Sequence, residues 1–348
     1  MTASGDDRRV GWEVALAYPP STHAPTFSAS LHVTSPTARR WETDYHAPAL
    51  VDDIVELLGH APLVLDGTLG GGGHSAALLS AGVGKVIGID RDAEAIASAR
   101  ARLASEATAG RFETFTANYS ELGRVPALQP LGFNGILLDL GISSHQIDVA
   151  SRGFSFREGA PLDMRMGADA PQSAAELLNE ADVETLTMIF RDYGDEPRAA
   201  RLAREIVRRR TTKPFAISDD LVGAIRATFG SRSGPPEFAR LFQAIRIAVN
   251  DEIAGVARAL PDLRDRLAPG GILTVIAYHS GEDRLVKHAF RDWSEDCICP
   301  PKHPMCTCGG NHALGKLLMR RAVTASADEV SRNPRARSAK LRAWQRAR

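Results

Sequence analysis

An apolar run, Leu63–Asp66, opens into a loop whose four consecutive glycines, 70–73, precede a helical segment that begins at His74. Because glycine has no Cβ, such a loop can bend sharply and bring its backbone close to a ligand. A second apolar run, Val86–Ile89, ends in Asp90, whose carboxylate in such folds accepts hydrogen bonds from two ribose hydroxyls. The pattern predicts a strand, loop, helix and strand that bind a nucleotide-like cofactor.

The choice of cofactor depends on the residues around the glycines. A Walker-type loop needs a lysine before its Ser or Thr, and His74 precedes Ser75 instead, so we exclude a nucleoside triphosphatase. A dinucleotide dehydrogenase uses similar glycines, but its pyrophosphate does not call for the acid that ends the first run, Asp66. S-adenosylmethionine carries a sulfonium and an amino group but no phosphate, so nearby carboxylates attract it. Asp66, Asp90 and Asp139 therefore favour S-adenosylmethionine.

Apolar runs and helical repeats alternate along the first part of the chain. The pattern predicts helices at 74–81 and 93–103 and strands at 63–66, 86–90, 112–116 and 134–139. Such alternation is typical of a parallel, doubly wound sheet. The fourth run is apolar throughout, as expected of a central strand that is covered on both faces.

The next convincing strand, 271–278, follows after about 130 residues, which is too long for one ordinary crossover. The residues between are mostly helical in pattern, at 174–190, 198–210, 219–228 and 238–267. We therefore predict an inserted helical domain at 147–245, which divides the α/β domain into 44–146 and 246–330.

The two ends of the chain differ from this pattern. Residues 1–43 are rich in Pro, Ser, Thr and Ala without periodicity, which predicts a flexible extension. The chain has 42 basic and 42 acidic residues, but no acid follows Glu329. Residues 331–348 are therefore predicted to be a basic tail, with its charge on Arg332, Arg335, Arg337, Lys340, Arg342, Arg346 and Arg348.

No apolar run approaches the length of a membrane span, and the first residues lack the apolar segment of a signal peptide. We expect a soluble, cytoplasmic protein that has no membrane partner.

Several separated segments together resemble one family, the bacterial RsmH/MraW enzymes, and the resemblance covers nearly everything from Tyr45 onward. The segments are His46–Pro48, Asp66–Ser75, Ile89–Asp92, Leu137–Ser144, Arg152–Phe156, Pro161–Met166, His279–Ser280, Glu282–Arg284 and Asn333–Ser338. The chain departs from the family pattern at Tyr119, where a Phe is expected, and at Gly281, where a Leu is usual. Neither departure removes a charged or hydrogen-bonding group.

The resemblance implies the Rossmann-like fold of class I S-adenosylmethionine-dependent methyltransferases with an inserted all-helical domain. The implied reaction is methylation of N4 of a cytidine in the decoding region of 16S ribosomal RNA, within the small ribosomal subunit. A homodimer is left open. The implied cofactor pocket is formed by Gly72, Gly73, His74, Asp90, Tyr119, Asp139 and Gln146.

Two residues are candidates for catalysis. Asp139 ends the central strand and could hold the substrate amine by accepting a hydrogen bond, although it could instead serve cofactor binding alone. His279 follows the strand at 271–278 and could contact substrate or take up a proton, or could organise its loop with Glu282, Asp283 and Arg284. No nucleophile elbow surrounds Ser280, so we exclude a hydrolase.

RNA recognition requires positive charge and an unstacked base. Arg198, Arg201, Arg204 and Arg208 recur at helical spacing, and Arg209, Arg210 and Lys213 extend them into a basic stripe. The stripe and the basic tail are candidate RNA contacts, although a solvated helix face with local pairing to Glu205 is the alternative. The alternative function is a non-catalytic RNA-binding or ribosome-assembly factor on the same fold.

All four cysteines lie in two C-x-C pairs, Cys297/Cys299 and Cys306/Cys308. Zinc sites more often use C-x-x-C pairs, and the cytosol disfavours disulfides. The sequence favours a reduced loop stiffened by prolines and assigns no metal, while a structural zinc site stays open.

Overall fold

The computed structural model describes residues 48–300 and 305–348, so the predicted extension at 1–43 and Tyr45–Ala47 lie outside the described residues. Eight strands form one sheet. In chain order they are β1 Leu63–Asp66, β2 Lys85–Asp90, β3 Phe112–Thr116, β4 Phe133–Asp139, β5 Leu267–Ala277, β6 Gly315–Leu317, β7 Val323–Thr324 and β8 Lys340–Arg346.

The order of the strands determines where a ligand can bind. Across the sheet the strands run β3-β2-β1-β4-β5-β8-β6, and β7 also pairs with β8. The strands β1 to β5 are mutually parallel, whereas β8 is antiparallel to its partners. The winding direction reverses between β1 and β4, and ligands of open α/β sheets bind beyond the carboxyl ends of the strands at such a point. The predicted fold class is confirmed.

Helices cover both faces of the sheet and fill the interval between β4 and β5. They are α1 Val51–Leu58, α2 Gly73–Ala81, α3 Ala93–Arg102, α4 Ala104–Thr108, α5 Ser144–Asp148, α6 Ala174–Glu180, α7 Val183–Met188, α8 Ala199–Arg210, α9 Ser218–Phe229, α10 Pro235–Asn250, α11 Glu252–Asp265, α12 Ser280–Asp292 and α13 Ala327–Arg332. Among the described residues, none of these helices combines the length and the apolar character needed to cross a membrane.

The helices between β4 and β5 have a hydrophobic core of their own. Its buried residues extend from Phe154 to Val249 and include Phe190, Leu202 and Leu241, none of which has solvent-exposed surface. Two other clusters pack against the faces of the sheet. This separate core supports an inserted helical unit, while the boundaries 147 and 245 stay a prediction.

Two predicted helices are wrong in extent. The predicted helix at 238–267 is two helices, because Asp251 adopts the left-handed conformation at φ 53° and ends α10. Its last residue, Leu267, already belongs to β5. The predicted helix at 174–190 is divided into α6 and α7, since the side chain of Asp182 caps the start of α7.

The predicted basic tail at 331–348 is wrong for most of its length, because β8 lies inside the sheet between β5 and β6. Leu341, Ala343 and Trp344 are fully buried. The charge of Arg342 is held by Asp283, whose Oδ1 accepts a 2.7 Å hydrogen bond from Arg342 Nε. The apolar side chains hold β8 in the core. The sequence did not predict this strand because arginines and a lysine lie between and around its apolar residues.

Candidate functional site

The loop between β1 and α2 forms one side of a cleft at the carboxyl edge of the sheet. Gly70 has φ 51°, and a Cβ at this position would meet no atom within 4 Å. Gly73 also lines the cleft. Gly72 is not among the lining residues, and a Cβ there would lie 3.2 Å from the Cβ of Ala99 in α3. The predicted cofactor contact at Gly72 stays a prediction, and Gly70 is a lining residue that the sequence analysis did not assign.

Asp66 lies beneath this loop and is almost completely buried. Its Oδ2 accepts a 2.7 Å hydrogen bond from Ser75 Oγ, and its Oδ1 accepts a 3.3 Å bond from the Thr68 N–H. Burial raises the pKa of Asp66, and the nearby His74 opposes this effect. Asp66 is not among the residues that line the cleft, and its hydrogen bonds hold the loop in place.

Asp90 ends β2 and lines the cleft next to the glycine loop. Its Oδ2 accepts a 2.8 Å hydrogen bond from the Gly70 N–H, and its Oδ1 accepts a 2.9 Å bond from the Asp92 N–H. Burial is the main reason that the pKa of Asp90 rises to about 6. The carboxylate is thus oriented by two backbone donors, with lone pairs left for ligand hydroxyl groups.

The start of α2 and the carboxyl ends of β4 and β5 bring His74, Asp139 and Tyr278 together. The hydroxyl of Tyr278 donates a 2.9 Å hydrogen bond to Asp139 Oδ1. His74 Nδ1 lies 3.7 Å from Asp139 Oδ2, while His74 Nε2 lies 2.8 Å from the carbonyl oxygen of Ala49. A carbonyl only accepts, so Nε2 carries a proton. Burial and the adjacent carboxylate raise the pKa of Tyr278 well above its usual value, which keeps its hydroxyl a donor.

Two glutamates that the sequence analysis did not assign to the site complete the wall of the cleft. Glu252 is 6% exposed and accepts hydrogen bonds of 2.8 and 2.9 Å from Arg246. Glu282 is 1% exposed, and its Oε2 accepts a 3.0 Å bond from the Tyr278 N–H. Tyr119 lines the cleft as predicted, and burial with these two carboxylates raises its pKa. Glu252 is the first residue of α11, so its place at the cleft could be predicted only from the break between α10 and α11 at Asp251.

Gln146 lines the cleft from α5, but its side chain already bonds to the protein. Its Nε2 donates a 3.0 Å hydrogen bond to Asp92 Oδ2, and its Oε1 accepts a 3.0 Å bond from the Ser143 N–H. The amide therefore fixes the turn at the start of α5 against the loop that follows β2.

His279 lines a second, neighbouring cavity rather than the cleft that contains Asp139. Its Nδ1 accepts a 3.4 Å hydrogen bond from the Glu282 N–H and so caps α12, and its Nε2 lies 3.1 Å from Glu282 Oε1. The second cavity also contains Arg240, Arg284 and His288. The two predicted catalytic residues are thus adjacent but face different cavities.

The charges of the cleft fit S-adenosylmethionine. Four carboxylates line it, from Asp90, Asp139, Glu252 and Glu282. The cation Arg91 also lines it, but Arg91 Nη2 is paired with Asp169 Oδ2 at 2.8 Å. The excess of negative charge attracts a sulfonium and an amino group, and it would repel the phosphates of a dinucleotide. Asp90 is placed to hold ribose hydroxyls, and Tyr119 offers a ring for the adenine.

Comparison with known proteins agrees with this fit. The model of a family described as the MraW methylase family matches residues 43–347. The "Ribosomal RNA small subunit methyltransferase H" of Gemmatimonas aurantiaca is 59% identical over 303 residues, which cover 87% of this chain and 96% of that protein. The protein of the same name from Heliobacterium mobile is 45% identical over 313 residues, covering 87% and 99%. A solved rRNA methylase from Streptococcus thermophilus has a TM-score of 0.38 at 11% identity, covering 86% of this chain and 94% of that one. The chain belongs to the MraW methylase family.

Proposed function

We propose that this methyltransferase transfers the methyl group of S-adenosylmethionine to N4 of a cytidine in the decoding region of 16S ribosomal RNA, with the small ribosomal subunit as substrate and the cytoplasm as location. The names of its relatives support ribosomal RNA as the substrate class. The observation that carries the choice of an amine is the carboxylate of Asp139, which lies at the carboxyl end of β4 and is oriented by the Tyr278 hydroxyl.

An exocyclic amine is a poor nucleophile because its lone pair is delocalised into the pyrimidine ring. S-adenosylmethionine, when bound, supplies a methyl group that is already activated by a sulfonium. The protein must therefore align the amine and accept its hydrogen, and the Asp139 carboxylate is the acceptor at this edge. The methyl C–S bond would break as the new C–N bond forms, so that the sulfur would leave as a neutral thioether and the nitrogen would become positive. The nitrogen would then release one proton, which Asp139 would accept and pass to water. Tyr278 keeps Asp139 Oδ1 in place during this step.

The basic stripe on α8 is less positive than its sequence indicates. Arg208 and Arg209 both bond to Glu205, at 2.8 and 2.7 Å. Arg201 and Arg204 are exposed, and no acid among the described residues pairs with them. Their guanidinium groups are the members of the stripe that we propose for contact with RNA phosphates. The remaining members are held locally, namely Arg198 by Glu196, Arg210 by the carbonyls of Leu178 and Ala181, and Lys213 by Asp220.

The test supplies labelled S-adenosylmethionine and small subunits that lack the modification, and it maps the product by mass spectrometry. We expect the wild-type chain to methylate one cytidine at N4. Asp139→Ala should slow transfer by about 10²–10⁴-fold, because the general base is lost. Tyr278→Phe should reduce the rate less, and Asp52→Asn, which changes an exposed acid on α1, serves as the matched control.

Calorimetric binding of S-adenosylhomocysteine separates the two roles of Asp139. We expect Asp139→Asn to bind this product with nearly wild-type affinity but to transfer slowly. Loss of binding in parallel with activity would assign Asp139 to cofactor binding alone. If the wild-type chain binds subunits and transfers no methyl group to N4, the proposal is wrong and the non-catalytic assembly factor remains.

A further inference from the structure

All four cysteines of the chain lie in one loop between the end of α12 at Asp292 and the start of β6 at Gly315. Two backbone hydrogen bonds close its neck, from His312 N–H to the Asp296 carbonyl at 3.1 Å and from Leu314 N–H to the Trp293 carbonyl at 2.8 Å. The parts of this loop that the structure describes, 293–300 and 305–314, contain no helix or strand.

The loop beyond this neck has no hydrophobic core in its described part. Ile298 is 67% exposed and Met305 is 75% exposed. Loops of more than about 12–15 residues without secondary structure are uncommon in compact proteins, so an ordered loop of this length needs another source of stability.

The cysteine sulfurs have the spacing of a tetrahedral metal site. The distances between Sγ atoms are 3.6 Å for Cys297 and Cys306, 3.5 Å for Cys306 and Cys308, and 3.7 Å for Cys297 and Cys308. All four Sγ atoms, including that of Cys299, lie within 4.8 Å of one another. Four sulfurs at about 2.3 Å from a zinc ion form a tetrahedron with edges of about 3.8 Å. A disulfide would require about 2.05 Å.

The surroundings of the sulfurs also suit thiolate ligands. The N–H of Thr307 donates a 3.3 Å hydrogen bond to Cys299 Sγ, and the Thr307 hydroxyl lies 3.6 Å from the same atom. His312 Nε2 lies 3.1 Å from the carbonyl oxygen of Cys308 and ties this end of the cluster to the neck. Hydrogen bonds of this kind orient metal ligands and stabilise their charge.

We propose that Cys297, Cys299, Cys306 and Cys308 bind one structural Zn²⁺ ion. Four thiolates leave no coordination position open for water or substrate, which is the arrangement of structural rather than catalytic zinc. Soft sulfur ligands select zinc over magnesium and calcium. The helix α12 has 13 residues and is therefore about 20 Å long, and it separates the loop from the cleft at its other end. The ion thus holds the loop together in place of a hydrophobic core.

The test measures the metal content of the full-length chain, prepared without an affinity tag or chelator and in the presence of reductant. Inductively coupled plasma mass spectrometry should find one zinc ion per chain in the wild-type protein. Cys299→Ser and Cys308→Ser should each lower the zinc content at least tenfold. Met305→Ser changes a residue of the same loop that is not a proposed zinc ligand, so this variant should retain the zinc. Iron in place of zinc would overturn the choice of metal.

Two further measurements on the wild-type chain do not depend on a variant that folds. The chain has only four cysteines, so thiol titration reports on this loop alone. We expect the thiols to resist modification until a strong chelator removes zinc, and Co²⁺ added afterwards should give the absorption of a tetrahedral tetrathiolate complex. Freely reactive thiols in the untreated protein, two disulfides in its intact mass, or absence of the cobalt spectrum would each overturn the proposal.

Discussion

Replacement of Trp344 by alanine tests whether the end of the chain is an inner strand or a tail. Trp344 has no exposed surface and contacts Trp293, with ring centres 5.3 Å apart, and Phe290, at 6.5 Å. Its indole N–H donates a 3.1 Å hydrogen bond to Ser294 Oγ. Trp344→Ala removes these contacts and leaves a cavity between β8 and α12.

The expected loss of stability follows from these contacts. Truncation of a buried tryptophan costs about 3–5 kcal/mol, and the lost hydrogen bond adds about 1 kcal/mol. We therefore expect the free energy of unfolding to fall by about 4–6 kcal/mol, a large share of the roughly 5–15 kcal/mol that a folded protein has. Arg348→Ala, at the exposed end of the same segment, should change it by less than about 0.5 kcal/mol.

Guanidinium unfolding followed by circular dichroism measures this difference without relying on tryptophan fluorescence. The midpoint of Trp344→Ala should lie well below those of the wild-type chain and Arg348→Ala. Equal midpoints for the two variants would mean that the C-terminal segment is not packed in the sheet, and the position of β8 would be refuted.

Three further predictions concern the site, the RNA contact and a buried ion pair. Because the pKa of Asp90 is raised to about 6 and ribose hydroxyls need its charged form, affinity for S-adenosylhomocysteine should hold above that pH. Below pH 6 the affinity should fall by up to tenfold per pH unit. Calorimetry of Asp90→Asn should show no such pH dependence, and the same pH dependence in this variant as in the wild-type chain would contradict the role of Asp90. Arg201→Ala should raise the KM for subunits, and the salt dependence of this KM should fall by the amount expected for about one lost phosphate contact. Arg208 is paired with Glu205, so Arg208→Ala should change the KM and its salt dependence less. Arg246→Met leaves Glu252 buried and unpaired and should cost about 3–5 kcal/mol in denaturant unfolding; a loss below 1 kcal/mol would contradict this.

Part of the site was predictable because its residues stand at strand ends. Asp90 and Asp139 each follow an apolar run, and parallel strands bring their carboxyl ends to one edge of a sheet, so both were expected at the cleft. Glu252 was not predictable, since it reaches the cleft only because α10 ends at Asp251 and α11 begins in a new direction. The glycine run likewise did not reveal that Gly70 lines the cleft.

The sequence by itself determined the order of the strands β1 to β5 with α2 and α3 among them, the long interruption of the sheet after Asp139, and the acidic character of the cofactor edge. These features depend on local periodicity and on residues that end a strand, which are legible within a few neighbouring positions. Tertiary structure decided the features that need distant partners. The charged segment of β8 is an inner strand because Trp344 and Leu341 are buried against the rest of the protein. The four cysteines, which are separated in the sequence, form a cluster because hydrogen bonds join the two ends of their loop. Such contacts join residues far apart in the chain, so the local pattern alone does not determine them.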